Sequence, residues 1–112
     1  MRVLWILGVL AATAASTADA AEWRYCYGAD RPGHRFYLSA PFRTSEPMIR
    51  IELDFQRRLI AEGLGEIHTG CPRAADKAGI LALMREAERF NREEGNRLFA
   101  LDWPEAEPVA SR

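Results

Sequence analysis

The first twenty residues limit what the rest of the chain can become. Met1 and Arg2 supply a positive start, Val3 to Ala15 are almost wholly apolar, and Ala18-Asp19-Ala20 forms an A-x-A-type cleavage site before Ala21. This is the pattern of a secretory signal peptide. The apolar run is too short for a stable bilayer-spanning helix, which needs about 20 residues. Residues 1–20 are therefore read as a signal peptide cleaved near Ala20, and the product as periplasmic or secreted, with no stable membrane insertion after cleavage. Removing 20 of 112 residues leaves 92, enough for one domain with a thin core.

Such a core gains from a covalent staple. Two cysteines, Cys26 and Cys71, follow the cleavage site, and an even count in an exported chain reads as a disulfide. Closing that loop removes about 4 kcal/mol of unfolded-state entropy. The alternative is two buried free thiols. No C-x-x-C pair is present, which argues against thioredoxin-like redox chemistry. The net charge of −1, with no acidic or basic block, gives neither nucleic acid nor an anionic membrane an electrostatic hold.

Aromatic residues at period two, Trp23, Tyr25 and Tyr27, predict a first strand over 22–27. The turn-rich stretch 28–33 leads to a second strand over 34–39, and the two form an antiparallel hairpin. Thr44-Ser45-Glu46-Pro47 suits a helix start. Over 48–55 helical and alternating patterns compete, and the continuation to Glu62 favours helix. A short third strand runs over 66–71. Asp76 caps a second helix with an apolar stripe of Ile80, Leu83, Met84, Ala87 and Phe90, and a fourth strand follows over 97–103. Residues 104–112 are expected to be a disordered tail after a single domain at 21–103.

The order β-β-α-β-α-β predicts an α+β fold, a two-layer sandwich of one four-stranded mixed sheet with both helices on one face and one disulfide. The suggested strand order is 2-1-3 with the fourth strand at either edge. Alternation then turns Trp23, Tyr25, Tyr27, Phe36, Leu38, Phe99, Leu101 and Trp103 toward the helices. Arg24, Arg35, Tyr37, Ser39 and Asp102 share an open face, suited to a carboxylate, a glycan or a partner's polar patch. With the opposite assignment, Trp23, Tyr25 and Tyr27 become an aromatic platform.

No metal or cofactor is expected. His34 and His68 are the only histidines, and zinc needs at least three convergent ligands. Ser39 and Ser45 lack a nucleophile-elbow motif, so no catalytic residue is assigned.

Tyr25-Cys26-Tyr27, Tyr37-Leu38-Ser39 with Phe42, Cys71-Pro72 and Leu101-Asp102-Trp103 together form a recurring layout. It resembles that of small exported bacterial proteins with a Y-C … Y-x-S-x-x-F … C-P … W order. The resemblance implies a disulfide-linked periplasmic α/β domain. Those proteins have no known activity, so it assigns no functional residue.

These readings converge on an exported, non-catalytic binding module of the bacterial envelope, monomeric or homodimeric, in one version an inhibitor- or immunity-type protein. Its partner is an envelope protein or cell-wall glycan. Its binding residues are Arg24, Arg35, Tyr37 and Ser39 on the open face, with Asp30 and His34 in the hairpin loop. The alternative is a small envelope hydrolase in which His34 or His68 meets a carboxylate.

Overall fold

The computed structural model describes residues 20–65 and 67–105. All but Ala20 of the expected signal peptide, residues 1–19, and most of the expected tail, 106–112, lie outside the described residues. Among the described residues, seven strands and two helices follow one another: β1 Glu22–Arg24, β2 Tyr27–Asp30, β3 Arg35–Leu38, β4 Phe42–Thr44, α1 Met48–Ala61, β5 His68–Gly70, β6 Arg73–Ala74, α2 Lys77–Glu93 and β7 Arg97–Ala100. The class is α+β, with a three-stranded sheet ordered β4-β1-β6, a four-stranded mixed sheet ordered β5-β2-β3-β7, and one disulfide, Cys26–Cys71.

Two sheets stand where one was expected because three extended segments each break at one level. β1 and β2 meet at Tyr25-Cys26, β3 and β4 at Ser39-Ala40-Pro41, and β5 and β6 at Cys71-Pro72. Between the pairs Arg24–Arg73 and Tyr27–Gly70, two residues face two, which sets Cys26 directly opposite Cys71. Their Cα atoms are 4.0 Å apart. Between Arg24–Phe42 and Tyr27–Leu38, two residues face three. The extra residue is a β-bulge, a device that bends and twists a strand. Ser39 repairs the ladder there. Its Oγ accepts from Cys26 N at 2.9 Å while its own N–H donates to Cys26 O at 2.9 Å.

Pairing therefore resumes beyond Pro41 and beyond Pro72, giving β4 and β6, which strand patterns ended by proline did not suggest. The hairpin is also longer than expected. β2 runs on to Asp30, and Gly28 within it tolerates the close approach of Ile67, just before β5, and of Leu59 of α1, where a Cβ would stand 2.7 Å from Ile67 Cδ1 and 3.3 Å from Leu59 Cδ1. Residues 48–55 are helical. Asp76 caps α2, its Oδ1 accepting from Gly79 N at 2.8 Å.

Both helices were expected on one face, and they pack on opposite faces. Ile51, Phe55 and Leu59 of α1 share a core with Cys26 and Cys71, flanked by Phe42, Leu101 and Trp103. Ile80 of α2 shares another with Tyr25, Phe36 and Leu38, flanked by Trp23, Tyr27, Met84 and Leu98. The strand order explains this. β3 runs parallel to β7, and β3 and β5 are both antiparallel to β2, so all three run the same way. The α1 connection crosses from β3 toward β5, and the α2 connection crosses back from β6 to the β7 edge. Strand–helix–strand connections share one hand, and two of the same hand running in opposite directions must lie on opposite faces. Leu101 and Trp103 thus lie in the α1 core, away from the aromatic stripe of the first strand with which they were grouped.

The disulfide ties the level at which the segments bend. Replacing both cysteines by serine should lower stability by about 2–4 kcal/mol in denaturant titration. A loss below about 1 kcal/mol would mean the bend holds itself.

Candidate functional site

The face expected to be open is covered, and three of its residues are structural. Arg24 is buried at 5 % exposure. Its Nη1 donates to Cys71 O at 2.8 Å and contacts Met48 Sδ at 3.4 Å, while Nη2 reaches Glu22 Oε1 at 3.4 Å. Arg24 therefore braces the chain beside the disulfide and is not free to bind a partner. Ser39, likewise buried, is spent on the bulge. Tyr37 is buried in a stack on Phe99, with centroids 5.2 Å apart, and Arg97 lies over that phenyl ring at 5.4 Å. Arg35 is exposed at the start of β3, opposite Arg97. Asp30 caps the hairpin turn, its Oδ1 accepting from Gly33 N at 3.0 Å. Of the six expected binding residues, only His34 lines the cavity described next.

That cavity is a groove of about 790 Å³ between α2 and the β5 side of the sheet. It exists because α2 follows a diagonal path from β6 to β7 and leaves the β2–β5 corner uncovered. Tyr27, His68, Leu83, Ala87, Phe90 and His34 are among its walls. Tyr27 stacks on Phe36 at 5.4 Å and meets the His68 ring at 6.0 Å. On the opposite wall, the α2 stripe proves wider than the surface the sheet buries. Ile80 and Asn91 are the buried positions of the helix, whereas Leu83 and Phe90, two turns apart, remain 41 % and 57 % exposed. These two side chains are the apolar wall of the groove.

The end of the groove near the β2–β3 hairpin is polar. Arg31 and His34 stand there beside Asn91 and Asn96. Asn91 is occupied structurally: its Nδ2 donates to Ala87 O and its Oδ1 accepts from Asn96 Nδ2, both at 2.8 Å. This pair fixes the turn from α2 into β7. Arg89, also in the lining, pairs with Glu86 and Glu93 on its own helix. Arg31 has no ion-pair partner among the described residues.

His34 holds φ at 57°, the left-handed region that normally calls for glycine. His34→Gly should therefore raise stability by about 1 kcal/mol in urea titration while removing an imidazole from the groove rim. A loss of stability would show that the imidazole itself holds the turn.

On the floor, burial pushes the Tyr25 hydroxyl up to about 12, with neighbouring Tyr27 and the Glu88 carboxylate adding to the rise. Below pH 10 Tyr25 is protonated whether folded or unfolded. Above it the unfolded chain ionises first, so stability should fall between pH 10 and 12. Tyr25→Phe should flatten that fall in thermal melts. An unchanged slope would place the titration elsewhere.

A second exposed apolar surface, Ile49, Leu53 and Ile60, runs along the outer side of α1. Among the described residues no three His, Cys, Asp or Glu side chains form a metal-ligand cluster. Comparison with protein-family models, with curated proteins and with solved structures found no match for this chain.

Sequence reasoning missed Arg31 and Phe90 as groove residues. It turned Tyr27 toward the helices or into an aromatic platform, and weighed His68 for zinc and for a hydrolase. The available signal was the width of the α2 stripe, more apolar positions than one sheet contact needs.

Proposed function

We propose that the chain is an exported, non-catalytic binding module of the bacterial envelope, and that it works through the groove between α2 and β5. The observation that carries this reading is the pairing of a large, exposed Phe90 and Leu83 on one wall with Tyr27 and His68 on the other. Exposed apolar surface that is concave and rimmed by polar groups marks interaction sites. The leader pattern and the disulfide support export to an oxidising compartment. No helix among the described residues is long and apolar enough to cross a membrane. An inhibitor- or immunity-type role, in which a small stapled domain occupies another envelope protein, is the specific form we favour.

The competing reading, a small envelope hydrolase, has one observation in its favour: His34 and His68 line the same groove with Glu86 and Glu94. Against it, no serine, threonine or cysteine lines the groove among the described residues. Neither histidine ring is hydrogen-bonded to a carboxylate there.

The deciding experiment is affinity capture from an envelope fraction with the oxidised protein, its Phe90→Ser variant and an Arg35→Ala control. Phe90→Ser should reduce the captured partner at least about tenfold, the loss expected for one well-buried aromatic contact. Arg35→Ala should leave capture unchanged. Equal capture by the Phe90 variant would move the site off the groove.

A further inference from the structure

The outer edge of β5 carries a feature that turns the groove into a peptide site. Tyr25 N donates to Pro72 O at 3.4 Å, which fixes which opposed pairs along β1–β2 and β5–β6 are hydrogen-bonded. Bonded and non-bonded pairs alternate in an antiparallel ladder. Tyr27–Gly70 and Ala29–His68 are therefore the bonded pairs, and Gly28–Thr69 is not. The backbone N–H and C=O of Thr69 consequently point away from β2, across an edge that no other described strand pairs with.

We propose that this edge accepts an extended segment of a partner protein by strand addition, with alternate side chains of the segment entering the groove; this rests on the groove reading above. A residue bonded to Thr69 turns its own side chain to the α1 face, as Thr69 does in reaching Gln56. Its two neighbours turn to the α2 face, about 7 Å apart, beside His68 and Gly70. At Gly70 there is no side chain to block them. The Tyr27 phenol leans across that glycine, its Oη 2.7 Å from where a Cβ would stand, and so presents its ring at the edge. Phe90 stands on the opposite wall. Beyond the edge, the hairpin turn that follows β2 offers Arg31.

The occupant is thus an extended peptide with an aromatic or large aliphatic residue for Tyr27 and Phe90 and a carboxylate for Arg31. A second copy of this chain fits less well. The edge is only three residues long, with one residue's outward groups to share, so side-chain burial in the groove must supply the affinity.

The test begins with selection from a displayed library of random peptides of about eight residues on the oxidised protein. The selected peptide is then titrated calorimetrically. Thr69→Pro removes the outward donor together with the hydroxyl bond to Gln56, and takes no donor from the β2–β5 ladder, so affinity should fall about tenfold or more. Thr69→Val, which loses the hydroxyl bond to Gln56 but keeps the donor, should bind normally. Methylating the peptide amide whose N–H donates to Thr69 O should likewise cost about tenfold, without any change to the protein. Binding that depends on Phe90 but ignores Thr69→Pro and N-methylation would overturn strand addition and leave the groove standing. Binding indifferent to Phe90→Ser would overturn the groove reading itself. A library that yields no binder, or a dimer of this chain abolished by Thr69→Pro, would overturn the proposal.

Discussion

The structure depends on one row of residues where three extended segments bend together. Cys26 and Cys71 are joined across the first and third segments, and Ser39 bonds Cys26 from the second. Arg24 closes the row by donating to Cys71 O, with its remaining charge shared with Glu22, which also holds Arg73. On the far side of the bulge Trp103 O accepts from Ala40 N at 3.0 Å, and the Trp103 ring packs on Phe55 and Phe42. The crosslink joins residues 45 apart in sequence, so it removes loop-closure entropy from the unfolded chain, and it does so at the level where the bulge interrupts the neighbouring ladder.

From that bend the rest follows. The chain crosses the sheet in one direction through α1 and returns through α2, so each helix receives its own face. α1 seals the disulfide side with Ile51, Phe55 and Leu59. α2 has to span from β6 to β7, which is wider than a single helix can cover, and the uncovered corner at β2 and β5 becomes the groove. The groove is thus a consequence of topology, and its chemistry comes from the residues that the topology leaves at that corner.

Much of this architecture is legible in the residues. The Asp76 cap and the paired cysteines each announce a local structure that holds, and the period-two aromatics announce an extended first segment, which breaks at Tyr25-Cys26 into β1 and β2. The suggested 2-1-3 strand order is also the one adopted, with the fourth strand on the edge beside the second. What the pattern does not carry is the face of each helix, because that depends on which edge the last strand joins. Alternation tells two sides of a strand apart but does not say which side is covered. Arg24 and Ser39 therefore looked like members of a polar surface, although a buried arginine bonded to carbonyl and carboxylate oxygens gives the same alternating signal as an exposed one. The bulge was equally hidden, since one extra residue at Ser39-Ala40-Pro41 changes register without changing composition.

Two exposed apolar surfaces compete for a partner, the groove and the outer side of α1. Amide chemical-shift mapping of the isotopically labelled, oxidised protein bound to its captured partner separates them directly. Shifts concentrated at Tyr27, His68, Thr69, Phe90 and Arg31 are the result expected here. Shifts concentrated at Ile49, Leu53 and Ile60, with the groove silent, would contradict it.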